Sequence, residues 1–248
     1  MKRLVKTITA ILTLILVSWG IGYLFVWQVR DFSYELKEAL LTEDREITTK
    51  TEVDGILSKL KVVVLADLPQ AYRKASGIAA AKYAKAFRGA TFYAVPRSLL
   101  YAKVTGHTRI RDLVSRDSFF RAALFDQATP VYWRIDKRIL YKVIDLRDAL
   151  TAAGHDPDAF DIHHGFRAPR YNEQVGGASQ SRHLYGEAVD LTIQDIDQDG
   201  GYTSQDKEIV LDLLERKVIR NGGGLGLYPG TRVVHMDVRG YRARWNSY

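Results

Sequence analysis

Two histidines and one aspartate carry the strongest chemical signal in this chain of 248 residues. His183 and Asp190 stand seven apart in Ser181-Arg182-His183-Leu184-Tyr185-Gly186-Glu187-Ala188-Val189-Asp190. His235 follows much later, in Val233-Val234-His235-Met236-Asp237-Val238-Arg239. Two imidazoles and one carboxylate make a three-ligand set for a zinc ion. Such a set leaves one tetrahedral position open to water, the arrangement of a catalytic rather than a structural site. A single histidine is usually an ordinary polar residue, so the argument rests on what surrounds these three.

Stepwise alternation predicts strands over 188–193 and 233–239. Val189, Leu191 and Ile193 fall on one face and Asp190 on the other; likewise Val234, Met236 and Val238 oppose His235 and Asp237. If the two strands are antiparallel neighbours, Asp190 and His235 meet at one point. Gly186 permits the tight bend that brings His183 to the same place. A second metal signal is independent of the first. Asp195-Ile196-Asp197-Gln198-Asp199-Gly200, continuing to Asp206, matches an EF-hand calcium loop, with Asp at the last position where Glu is usual. A calcium site and a solvated acidic turn both fit that pattern.

Four stretches in order carry a family resemblance. They are Gly165-Phe166-Arg167-Ala168-Pro169-Arg170-Tyr171-Asn172, then Val175-Gly176-Gly177-Ala178, then residues 181–191, then Val234-His235-Met236-Asp237-Val238-Arg239-Gly240. Together they resemble the zinc D-Ala-D-Ala carboxypeptidase family, with its Hedgehog/DD-peptidase fold, and within it the bacterial murein endopeptidases. The resemblance implies a peptidase that hydrolyses peptidoglycan stem or cross-link peptides, with zinc on His183, Asp190 and His235. It also implies that Arg167 binds substrate, and its guanidinium fork suits a carboxylate. Tyr171, Ser181 and Tyr228 are implied to line the cleft.

One departure concerns proton transfer. Many members of that family carry a Glu three residues before the last histidine or a His two before it; here those positions are Arg232 and Val233. Asp237, on the strand face of His235, is the substitute general base, or else a carboxylate that orients an imidazole or pairs with Arg239. Alternation puts Glu187 on the wrong face. It puts His163 on the face of Arg167 and His164 on the apolar face, as a core histidine. Without a competent base the domain would be a non-catalytic zinc-containing module that binds the cell envelope. A calcium-stabilised adaptor is the third alternative.

The elements that must position these groups read as an α+β domain over 131–248, an antiparallel sheet flanked by helices. Ile139, Val143, Leu146 and Leu150 stripe a helix over 136–153; residues 160–167 alternate as a strand; and 206–221 read as a helix capped by Ser204. Residues 31–130 read as a mainly helical spacer or accessory region, apolar over 53–65 first at helical spacing and then continuously, with helical periods over 70–88 and 109–125 and a short strand over 91–95. Ahead of them, residues 8–27 form an apolar run long enough to span a bilayer, after Lys2, Arg3 and Lys6. Residues 1–30 are therefore expected to be a signal-anchor transmembrane segment, with the N-terminus cytoplasmic and the domain outside; a cleaved signal peptide would export the same domain. The chain has no cysteine, which excludes thiolate zinc sites and disulfides. Its net charge of +7 is dispersed along the sequence. For an exported protein that suits anionic lipid or envelope polymer better than nucleic acid.

Overall fold

Helix α1 (Lys50–Leu57) starts where Thr49 and Glu52 cap each other's exposed amides in a capping box. The helical spacing that starts at Val53 ends with this helix, and the continuously apolar part that follows is not α-helical. Three successive valines favour a pleated strand, and the chain turns into β1 (Lys61–Val64). The helix expected over 70–88 is likewise divided. Strand β1 leads to α2 (Gln70–Ser76), which stops at Gly77 in the left-handed conformation, and the chain resumes as a 3-10 turn (Ala81–Tyr83) and α3 (Ala84–Phe87). Strand β2 (Thr91–Val95) matches the expected one. Beyond it come β3 (Lys103–Thr105), β4 (Thr108–Arg109) and the single turn α4 (Ile110–Leu113). At Val114 the backbone is already extended, so the helix expected over 109–125 is interrupted after its first turn; Phe120 is again helical, and residues 118–119 and 121–128 lie outside the described residues. The stretch that reads as mainly helical is a mixture of short helices and strands.

The computed structural model describes residues 45–117, 120 and 129–246, and Glu46–Tyr248 form one compact unit. Strand β5 (Val131–Trp133) pairs with β2, which pairs with β1, so chain on both sides of residue 130 shares one antiparallel sheet. Among the described residues no helix is long and apolar enough to cross a membrane. The apolar run over 8–27 lies outside the described residues.

Helix α5 (Lys137–Ala152) has Asp136 as its N-cap, and the stripe Ile139, Val143, Leu146 and Leu150 is buried as the spacing predicts. Each such side chain contributes roughly 1.5–3 kcal/mol through removal from water. The main sheet follows: β6 (Phe160–His164), β7 (Ala188–Ile193), β8 (Gly224–Gly226), β9 (Val233–Asp237) and β10 (Ala243–Trp245) in the order β10-β8-β9-β7-β6. Its pairs are antiparallel except β10 with β8, which run parallel. Helix α6 (Pro169–Gln174) lies between β6 and β7 in sequence, and α7 (Ser204–Leu213) between β7 and β8. The N-cap of α7 is Thr203, not Ser204: Thr203 and Asp206 form its capping box. The fold is α+β.

Candidate metal centre

The register of β7 and β9 sets Asp190 directly opposite His235. Their neighbours Val189, Leu191, Val234 and Met236 are fully buried, as the alternation requires. His183 arrives on a 3-10 turn (Arg182–Tyr185) closed by Gly186 at φ 69°. A Cβ there would lie 2.4 Å from the Arg134 carbonyl oxygen, so the bend requires glycine.

The three side chains converge. His183 Nε2 lies 3.2 Å from Asp190 Oδ1 and 3.2 Å from His235 Nδ1, and His235 Nδ1 lies 2.9 Å from the same Asp190 oxygen. All three residues are buried. The outward nitrogens are also engaged: His183 Nδ1 donates to the Gly165 carbonyl at 2.6 Å, and His235 Nε2 donates to Asp237 Oδ2 at 3.1 Å. With those hydrogens facing outward, each imidazole turns a lone pair towards the shared point. That is how an outer hydrogen bond fixes the tautomer of a metal-ligating histidine. The donor set therefore fits a zinc ion.

Burial depresses the pKa of His183 and keeps its imidazole neutral. Burial alone would raise the carboxyl of Asp190, but the two imidazoles outweigh it and hold it well below the usual range. Burial also lowers His235, and its hydrogen bonds to Asp190 and Asp237 more than reverse that effect.

Asp237 faces away from the shared point. Its carboxylate is fully buried and accepts from the Gly224 amide at 2.9 Å, from His235 Nε2, and from Arg239 through Nε at 2.8 Å and Nη2 at 2.5 Å. Burial would raise its pKa, yet the His235 and Arg239 hydrogen bonds hold it far below the ordinary carboxylate value. Of the two roles the sequence leaves open, this geometry matches the orienting carboxylate. No oxygen of Asp237 is left to take a proton from a water in the cleft.

The ligands border a cleft of about 630 Å³, lined also by residues of the loop over 175–182 and by Tyr228, Arg239 and Trp245. Ser181 and Arg167 line it as well. Arg167 Nη2 pairs with Asp190 Oδ2, while its buried Nε has no partner among the described residues. Tyr171 is set one step back, its hydroxyl 3.3 Å from His164 Nε2. His164 corrects the strand reading. A register shift between Ile162 and His164 places it opposite Asp190, so it lines the cleft beside His163 instead of facing the core. Its Nδ1 is 3.7 Å from Asp190 Oδ2, and burial, then the Arg167 charge, push its pKa down to about 3.

The acidic loop does not assemble the calcium set expected from spacing. Asp195, Asp197 and Asp199 gather together, and their oxygens accept from the Asp199 and Gly200 amides and the Gln205 side chain. Asp206 lies apart and fully buried. One of its oxygens takes the Ile196 and Asp197 amides at 2.6 and 3.2 Å, and the other takes the Thr203 amide at 2.6 Å. The fourth carboxylate is thus a backbone clamp.

Among protein-family models, Peptidase M15 matches residues 136–237. Over that segment the chain is similar to the M15 peptidase family. Neither a curated protein nor a solved structure matches it. All three zinc-ligand candidates, Arg167 and Asp237 fall inside the M15 segment, whereas several residues that hold them do not. The Phe166 amide donates to the Leu113 carbonyl at 2.8 Å, and the Ala168 amide to Ser115 Oγ at 2.9 Å. Arg134 donates to the carbonyls of Ala86 and Leu184, at 2.8 and 3.0 Å, with its guanidinium over Phe87 and Tyr185. No periodicity or motif marks Ser115 or Arg134, and the helical period that includes Leu113 says nothing of its carbonyl. Trp245 carries no signal as part of the cleft, and Arg239, inside the His235 stretch, reads there only as a partner of Asp237.

Proposed function

We propose that this chain is a zinc-dependent peptidase that hydrolyses stem or cross-link peptides of peptidoglycan, as a D-Ala-D-Ala carboxypeptidase or a murein endopeptidase. The observation that carries the reading is the convergence of His183 Nε2, Asp190 Oδ1 and His235 Nδ1 at a cleft within an M15 segment. A Hedgehog/DD-peptidase fold is part of the same proposal, supported by the antiparallel core β6-β7-β9-β8 that carries two of the ligands.

When bound, zinc supplies a Lewis acid that polarises a peptide carbonyl and makes water nucleophilic near neutral pH. The protein's own contribution is positioning. The Gly165 carbonyl and the Asp237 carboxylate fix the two imidazoles. Once Asp190 serves as a ligand, Arg167 retains a buried guanidinium with an unpartnered Nε, and a substrate carboxylate is the natural counter-ion. A free peptide C-terminus and a diaminopimelate carboxyl both offer that chemistry. Ser181 borders the same cleft, and Tyr171 reaches it through His164.

The proposal includes location. Residues 1–30 would anchor the chain in the lipid bilayer with the peptidase domain outside the cytoplasm, a reading supported by the apolar run over 8–27 behind Lys2, Arg3 and Lys6. A second reading, a zinc-containing module that binds envelope without turnover, is favoured by Arg232 and Val233 at the usual proton-transfer positions and by the filled oxygens of Asp237. Mass spectrometry of purified muropeptides incubated with the zinc-loaded full chain separates the two. Shortened stem peptides or opened cross-links, lost in His183→Ala, support the peptidase; sacculus binding with no product in any condition overturns it.

A further inference from the structure

Tyr228 combines two properties that no other non-glycine residue lining the cleft shares. It lines the same cavity as His183, Asp190 and His235, and its backbone is left-handed at φ 41°. That conformation is an outlier for a bulky aromatic residue. Tyr228 also precedes Pro229, whose ring further restricts the backbone before it. The turn itself does not demand this. The Thr231 amide bonds to the Tyr228 carbonyl at 3.3 Å across Pro229 and Gly230, and Gly230 at φ 75° supplies the one positive φ that such a turn needs.

The unfavourable conformation is held from outside. Lys207 of α7 is buried, and its ammonium donates to the Tyr228 carbonyl at 3.0 Å and the Thr231 carbonyl at 2.8 Å. It has no carboxylate partner among the described residues. Thr231 Oγ1 donates to the same Tyr228 carbonyl at 2.8 Å and accepts the Val233 amide at 3.1 Å. The loop is thus tied to α7 and to the start of β9, the strand that carries His235. A buried charge bonded to both carbonyls of a strained turn at a cleft is one way a site stores preorganisation.

We propose that Tyr228 is a catalytic residue whose phenol donates a hydrogen bond to the substrate oxygen on which negative charge develops. The inference rests on the metallopeptidase reading above. In the hydrolysis, a water oxygen bonds to the peptide carbonyl carbon and the carbon–nitrogen bond breaks. One water proton goes to the leaving nitrogen, the other is released from the new carboxyl group, and the tyrosine keeps its own. Such a donor is worth most when it is held in place before charge appears, which is what Lys207 and Thr231 provide.

Two measurements on the zinc-loaded full chain test this. Tyr228→Phe is expected to lower kcat on muropeptides by about 10²–10³-fold, with KM and zinc content unchanged. Tyr228→Gly is expected to melt about 2–4 °C above Tyr228→Ala. At an unstrained position the order is the reverse, because glycine loses more backbone freedom than alanine. A Tyr228→Phe enzyme within threefold of wild-type kcat overturns the catalytic role and leaves the metallopeptidase reading intact. A glycine variant no more stable than the alanine variant overturns the strain. If the wild type itself releases no product, both readings fall.

Discussion

Replacing Asp237 by Asn separates the two roles that its sequence position allows. The side chain keeps its size, but one oxygen becomes an amide donor. At Oδ2 that donor would face His235 Nε2–H and Arg239 Nη2; at Oδ1 it would face the Gly224 amide and Arg239 Nε. Either orientation sets donor against donor and removes the only carboxylate that pairs with Arg239 among the described residues. Breaking a buried ion pair on one side costs about 3–5 kcal/mol, and a unit of this size loses about 2–4 °C of melting temperature per kcal/mol. Asp237→Asn is therefore expected to melt roughly 6–20 °C below the wild type.

The functional consequence should appear in the metal. Loss of the partner that fixes a ligand histidine typically weakens metal affinity by about 10–100-fold. Zinc competition against a chromophoric chelator would measure that shift, and turnover at saturating zinc would then recover to within about tenfold of wild type. A general base behaves differently, because its removal lowers kcat by about 10²–10⁴-fold however much metal is supplied. Unchanged zinc affinity together with a hundredfold loss of kcat at saturating zinc would refute the orienting role.

Asp206→Ala removes the carboxylate half of the α7 capping box and strands the amides of Ile196 and Asp197, at a cost of about 2–4 kcal/mol in chemical denaturation. Burial would raise the Asp206 pKa, but its backbone hydrogen bonds lower it overall. Its stabilisation is thus complete above pH ~4 and is lost as pH falls through the depressed folded value. An acid-unfolding curve for Asp206→Asn should accordingly be flatter than wild type, and an equally steep one would refute the clamp. Gly186→Ala forces a Cβ to 2.4 Å from the Arg134 carbonyl in a left-handed turn; zinc retained at wild-type stoichiometry after dialysis would contradict the need for that bend. Ser115→Ala leaves the Ala168 amide without its buried acceptor, and a stability loss of about 1–3 kcal/mol is expected in urea.

The part of the site that was legible in the sequence is the part encoded by local period. Asp190 and His235 alternate against aliphatic neighbours on β7 and β9, so a correct strand assignment left only the register open, and the register places them face to face. The α5 stripe was legible for the same reason. His164 was not, because the irregularity after Ile162 reverses the face that alternation assigns. The amide contacts of Asp206 are not legible, because acid spacing reports how many carboxylates a loop holds and not which amides they meet. The break at Gly77 was hidden by good helix formers on both sides; tertiary packing brings Arg170 and Pro169 against that glycine.

Where the functional unit begins follows from the same hydrogen bonds. The family match starts at residue 136, yet the bend that delivers His183 is formed against residues before it. The Gly186 position is closed by the Arg134 carbonyl, and the Arg134 guanidinium reaches both the Leu184 carbonyl beside His183 and the Ala86 carbonyl of α3. Burial depresses the Arg134 pKa, and the aromatic faces of Phe87 and Tyr185 flank the guanidinium. The Gly165 carbonyl that orients His183 precedes Phe166, whose amide is fixed on Leu113. Severing the chain before residue 136 would therefore remove the acceptors and donors that hold His183 in register, while leaving every ligand in the sequence. Among the described residues, Ala86, Leu113, Ser115 and Arg134 all precede the family segment and yet help to hold the walls of the metal centre.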